Sequence, residues 1–184
     1  MQAWLKDAAI SNTTIGWLSL VGLAYALKPF WAPLLDRFSM PFLGRRRGWI
    51  LVFQLALAAA LAAMATHGPE QGLAPFAALA VVVAFFSASQ DIVIDAWRIE
   101  AADDSRHGAM AAAYQLGYRV AMIVAGAVPL VLADLYNWNL SYAVMAALMG
   151  VGIAGVLFAP REKAHSIRAI PVGDLPSRPK LEIF

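Results

Sequence analysis

Cysteine is absent from this 184-residue sequence, which excludes disulfides, thiolate nucleophiles, iron–sulfur clusters and Cys-ligated zinc. Histidine is scarce. His67, His107 and His165 lie too far apart in sequence to read as a metal site, so no metal and no other cofactor is expected. Charge is scarce as well: charged residues make up 14% of the chain against 61% hydrophobic ones, where a soluble domain averages about a quarter charged and about half apolar. Fourteen basic and twelve acidic side chains do not make a polar exterior for a domain of this size. The composition disfavours a water-soluble enzyme and calls for a bilayer. A cleavable signal peptide is also missing, because residues 1–13 hold no basic stretch leading into an apolar core.

What is present is apolar sequence in long runs. Crossing ~30 Å of hydrocarbon takes about 20 residues at 1.5 Å rise each. Five stretches qualify: 14–35, 49–66, 73–97, 108–133 and 140–159. Segments 36–48, 67–72, 98–107 and 134–139 between them hold most of the charges and turn formers. The expected fold class is all-α, a polytopic bundle of about five membrane helices, since lipid forces each backbone group to find its partner within its own helix. Residues 1–160 read as this bundle. Residues 161–184 are basic, contain Pro171, Pro176 and Pro179, and show no apolar period, which reads as a flexible cytoplasmic linker.

The basic residues orient the bundle. Arg37, Arg45, Arg46, Arg47, Arg98, Arg106, Arg161, Lys163, Arg168, Arg178 and Lys180 fall on one side, and Lys6 alone on the other. The positive-inside rule then places the C-terminus in the cytoplasm and the N-terminus outside. Clustering between apolar runs is the membrane pattern of basicity, and no nucleic-acid partner is expected for a net charge of +2. Trp4, Trp49, Trp97 and Trp138 suit an interfacial aromatic belt. An external N-terminus before an odd number of spans points to a further helix upstream.

Four ionisable residues fall inside the spans: Lys28, Asp91, Asp95 and Arg119. A charge at the bilayer centre costs about 2.5–3.5 kcal/mol on insertion scales, so each needs a reason. Counted from the span ends, Lys28 and Asp91 lie ~10 Å deep and Arg119 ~15 Å deep. Mutual pairing of the three toward a polar cavity is the expected arrangement. Asp91 and Asp95 share a helix face at i, i+4 beside Gln90, and Gln115 and Arg119 do the same on the next span, with Tyr114 and Tyr118 alongside. Such stripes line a pathway or glue helices together, and the first reading is favoured at Asp91 and Arg119. Asp95 also suits a solvated or loop-anchoring place near the interface, and Lys28 could instead snorkel to the headgroups.

Segment 36–48 carries Asp36, Arg37, Gly44, Arg45, Arg46 and Arg47. It reads either as a topology determinant on anionic lipid or as a gate that presents arginines to helix ends and carboxylates. Gly126, Gly150, Gly152 and Gly155 permit close helix approach, and Pro29, Pro33 and Pro129 predict kinks.

Trp31-Ala-Pro-Leu-Leu-Asp36-Arg37 followed by Gly44-Arg-Arg-Arg-Gly-Trp49 resembles the loop motif between helices two and three of the major facilitator superfamily, with a longer insert than usual. Ser87-Ala-Ser-Gln-Asp91-Ile-Val-Ile-Asp95-Ala-Trp97 and Leu116-Gly-Tyr-Arg119 narrow the resemblance to the AmpG-type muropeptide permeases. The acetyl-coenzyme A transporters are more distantly similar. The resemblance covers about residues 1–160. It implies proton-driven import of anhydro-muropeptides across a bacterial inner membrane for wall recycling, by rocking of two bundles around a midplane site. Asp91 and Asp95 become candidates for proton coupling, and Arg119, Gln115, Tyr118, Gln90 and Lys28 for the sugar-peptide. The five spans would be helices two to six, so that a first helix and a second bundle are the missing partners of this chain. Two other readings compete. One is a non-transporting membrane scaffold. The other is a CDP-alcohol-type phosphotransferase, which Asp91-x-x-x-Asp95 fits in part while the upstream Asp-x-x-Asp-Gly portion is lacking.

Overall fold

A computed structural model describes residues 1–38, 40, 42–101 and 107–160. The linker assigned to 161–184, and Arg106 in the preceding loop, lie outside the described residues. The helices are α1 (Gln2–Asp7), α2 (Asn12–Ser19), α3 (Leu23–Ala26), α4 (Lys28–Arg37), α5 (Arg45–Thr66), α6 (Leu73–Ala101), α7 (His107–Leu135) and α8 (Trp138–Phe158). A 3₁₀ turn, Leu20–Gly22, joins α2 to α3, and another, Pro69–Gln71, precedes α6. Runs of Ala and Leu favour helix intrinsically. Side chains supply the caps: Ser11 Oγ accepts from the Thr14 N–H at 3.3 Å, and Asn137 Oδ1 from the Leu140 N–H at 2.7 Å.

Helices α5, α6, α7 and α8 are each long and apolar enough to cross a membrane. They overrun the expected spans by up to four residues, because polar turns such as Arg45–Gly48 stay helical beyond the hydrocarbon. The expected first crossing, 14–35, is bent: Asn12–Ala26 and Lys28–Arg37 meet at 45°, which makes the pair either one broken span or a re-entrant segment. Leu27 marks the break, and Pro29 stands in the first turn of α4. Proline offers no N–H to the turn before it, and its ring crowds that turn's carbonyl. Pro33 and Pro129, by contrast, sit within helices that continue through them.

Helix α5 occupies the middle, packed along α6 and α8, while α7 leans chiefly on α8 and contributes no buried side chain among its described ones. Two apolar clusters hold the bundle. Near one end, Trp4, Leu5, Met64, Ala65, Phe76 and Tyr142 pack together. Toward the arginine-rich end the cluster is Leu35, Ile50, Phe53, Val93 and Val156. The first cluster corrects the expectation for Trp4. It is no belt residue but 1% exposed, edge-on to Phe76 at 5.3 Å and stacked on Trp138 at 6.1 Å. Short α1 turns this side chain inward, and the indole N–H finds Glu70 at 2.9 Å, which satisfies its one polar atom.

Candidate functional site

The arginine-rich loop is built around two glycines. Gly44 has φ 97°, a left-handed conformation natural to glycine, and it reverses the chain into α5. At Gly48 a Cβ would stand 2.5 Å from Met40 Cβ and 2.7 Å from the Phe42 carbonyl oxygen, so only hydrogen fits beneath the returning loop. The first turn of α5 then fans out its cations. Arg46, 4% exposed, donates to Asp36 at the end of α4 and twice to Glu100 Oε1 at the end of α6, at 3.0 and 2.7 Å. Its pairing joins three helix ends through charge-assisted bonds. Arg47 donates to the Val156 carbonyl at 3.1 and 2.7 Å and to that of Leu157 at 2.9 Å, placing a cation on the negative end of α8. Arg45 Nε is buried with no hydrogen-bond partner among the described residues, and Arg37 is exposed.

The second feature is a polar layer where the first crossing breaks. Lys28 Nζ lies 3.0 Å from Asp91 Oδ2 on α6 and 4.5 Å from the centre of the Tyr25 ring, an added cation–π contact. Tyr25 Oη and Ser87 Oγ are 2.5 Å apart, and Trp31 Nε1 donates to Ser89 Oγ at 3.1 Å. The three hydrogen-bonded ties run from the bent segment to residues 87–91 of α6. The pair is half-buried, with side-chain exposures of 26% and 42%, so Asp91 keeps one open side. Asp95 is half-exposed and pairs with Arg98 at 3.5 Å. Arg98 lies 4.6 Å from the Tyr114 ring centre on α7, and Tyr114 stacks on Tyr118 at 6.5 Å.

The expected three-way pairing is corrected here. Lys28 and Asp91 meet, but Arg119 makes no ion pair among the described residues; it is exposed, as are Gln115 and Tyr118. Matching depth brings charges to one slab, but rotation about the helix axis decides contact, and the packing of α7 on α8 leaves its polar stripe open. Gln90 is partly buried with its Oε1 unpartnered. The acidic pair that a phosphotransferase would use for metal is split between two cations, Lys28 and Arg98, and among the described residues no three His, Asp or Glu side chains cluster as a metal site.

Sequence reasoning missed Glu100 and Tyr25. Glu100 ends the same helix as Asp91, on the side of the membrane that holds the arginines, and a search for an acidic partner to Arg46 could have found it. Tyr25 lies three residues before Lys28, one turn away, and that spacing was a readable signal.

Comparison with known proteins gives these features a frame. Residues 1–183 match the model of the Major Facilitator Superfamily. The chain is 49% identical over 161 residues to the anhydromuropeptide permease of Escherichia coli K12, covering 87% of this chain and 33% of the relative. It is 35% identical over 156 residues to the putative transporter AmpG 4 of Rickettsia conorii, covering 82% of this chain and 38% of that one. An uncharacterized protein of Haemophilus influenzae is 40% identical over 162 residues, covering 88% of this chain and 38% of the relative. The chain thus spans about a third of the length of the curated relatives it matches. No solved structure gives a significant match. With its membrane-length helices, its loop of paired arginines and a family match that runs nearly end to end, the chain belongs to the Major Facilitator Superfamily.

Proposed function

We propose that this chain is part of a secondary carrier that imports anhydro-muropeptides from periplasm to cytoplasm, driven by the proton gradient, for reuse of wall material. The observation that carries this reading is the 49% identity to a protein whose name gives anhydromuropeptide as its cargo. In this reading residues 1–160 form a bundle of the carrier, and 161–184 link it onward. The arginine loops face the cytoplasm and residue 1 the periplasm, as the charge bias asks.

The polar layer supports Asp91 as the coupling carboxylate. It has an ammonium on one side and open space on the other, so a proton arriving there removes the charge that holds Lys28. Lys28 begins α4, immediately beyond the break at Leu27, and losing its partner frees the Lys28–Arg37 arm from α6. Asp95, already engaged by Arg98, is the second candidate. On α7 the exposed Gln115, Tyr118 and Arg119 offer an amide, a phenol and a guanidinium fork, groups suited to sugar hydroxyls and peptide carboxylates. The Asp36–Arg46–Glu100 group would gate by holding three helix ends together in one state and releasing them in the other.

The test places this segment in a complete carrier and measures uptake of labelled anhydro-muropeptide into vesicles under an imposed pH gradient. Asp91→Asn is expected to abolish gradient-driven accumulation while sparing exchange of cargo across the membrane. Arg119→Ala is expected to raise the half-saturating concentration about tenfold or more, the loss of a charge-assisted pair. Undiminished gradient-driven accumulation with Asp91→Asn would remove that residue from the coupling step.

A further inference from the structure

Among the described residues, two side-chain amide oxygens inside the bundle have no hydrogen-bond partner: Gln54 Oε1 on α5 and Gln90 Oε1 on α6. Gln54 is 5% exposed, and hydrocarbon offers an amide nothing in place of water. It lines a cleft of about 180 Å³ between α5, α6 and α8. Arg47, itself buried, and the partly exposed Trp97 stand at the arginine-side end, and Ile50, Ile94, Gly152 and Gly155 form the walls. Gly152 leaves the room, since a Cβ there would come within 2.8 Å of Gln54 Nε2.

Depth links the two amides. Gln54 is seven residues in from Arg47, and Gln90 seven in from Trp97, so both lie about 10 Å from that end. Gln90 precedes Ile94 by four residues and thus continues the face of α6 that walls the cleft. The cleft has room for several water molecules, each of which takes about 30 Å³ in the liquid. The unpartnered oxygens are acceptors to which water can donate; water also serves either orientation of an amide, and it fits.

We propose that this cleft is a water-binding inlet, entered past the partly exposed Trp97, in which a short file of water donates hydrogen bonds to Gln54 and Gln90. Gln90 directly precedes Asp91, so the file brings water to the helix turn that bears the coupling carboxylate. That consequence rests on the proposed function; the hydration itself does not.

The absence of cysteine makes the test direct. Single thiols are placed at neighbouring positions of α8 in the chain reconstituted in lipid: Gly155→Cys, which lines the cleft, and Ala154→Cys at the same depth, exposed but outside the lining. A Cβ at Gly155 meets nothing within 4 Å, so this variant keeps the fold. Methanethiosulfonate-ethylammonium is the probe, because it reacts with the thiolate that water supports. The Gly155→Cys thiol is expected to react at least about tenfold faster than the Ala154→Cys thiol. Adding Gln54→Leu, of similar volume, dries the cleft and slows the first rate severalfold while leaving the second unchanged. Equal rates at the two positions, or a Gly155→Cys rate indifferent to Gln54→Leu, overturn the inlet. Loss of transport coupling would leave this labelling pattern intact, so the two proposals fail separately.

Discussion

Arg46 faces two carboxylates on different helices, and its guanidinium is buried while Asp36 is 53% exposed and Glu100 20% exposed. Removing the cation does more than delete its pairing with Asp36 and Glu100, because it takes away the guanidinium that separates and neutralises these two carboxylates. Arg46→Met keeps the aliphatic bulk beneath the loop and isolates that electrostatic effect. Breaking a fully buried pair costs about 3–5 kcal/mol, and the exposure of Asp36 brings the expectation down to about 2–3 kcal/mol. The measurement is a lowered unfolding midpoint in detergent or nanodiscs. Arg46→Lys should recover only part of the loss, since an ammonium cannot span both carboxylates as the planar fork does. A midpoint unchanged by Arg46→Met would mean that the three helix ends are held by packing alone.

At the scale of helices, α7 depends on few ties, and Ser141 is the clearest of them. Its hydroxyl, fully buried, donates from α8 to the Pro129 carbonyl of α7 at 2.9 Å. Interhelical hydrogen bonds in membranes average about 0.6 kcal/mol, which corresponds to a roughly threefold change in an opening equilibrium. Ser141→Ala should therefore raise amide exchange in α7 about threefold and leave the α5 amides, held from both sides, at their original rate. Equal protection of α7 in both proteins would show that its packing on α8 does not use this bond. The same scale shows what the sequence could tell. Crossings were legible because length and apolarity are properties of consecutive residues, and Pro29 marked the break at Leu27, though not its angle. Helix α1 was not legible, since six residues show no period, and the inward turn of Trp4 follows from tertiary packing. In the site, the meeting of Lys28 and Asp91 could be read from depth. The separation of Arg119 could not, because depth is a single coordinate and its rotation about α7 is set by the contact with α8. The link from Arg46 to Glu100 joins residues 54 apart in sequence, and no local pattern records it.

Across the bundle, arginine contacts gather at one end and indole-to-carboxylate contacts at the other. At one end Arg46 binds the ends of α4 and α6 while Arg47 caps α8, so these arginines form a single structured surface. At the other end, Trp4 meets Glu70, Trp138 meets Asp7 at 2.8 Å, and Asn139 donates to the Ala65 carbonyl at 2.7 Å. Insertion follows Lys and Arg and takes little notice of acidic residues, so the arginine end is expected to stay in the cytoplasm even though Arg46 is paired with Asp36 and Glu100. Phe42, 46% exposed, lies in the loop at that end, and the exposed Gln71 lies in the turn at the opposite end. In a bacterial inner membrane, an impermeant maleimide applied to spheroplasts should label Gln71→Cys at once. Phe42→Cys should react only after the membrane is permeabilised. The reverse pattern would invert the bundle, turn the Asp36–Arg46–Glu100 group toward the periplasm and take the proposed direction of import with it.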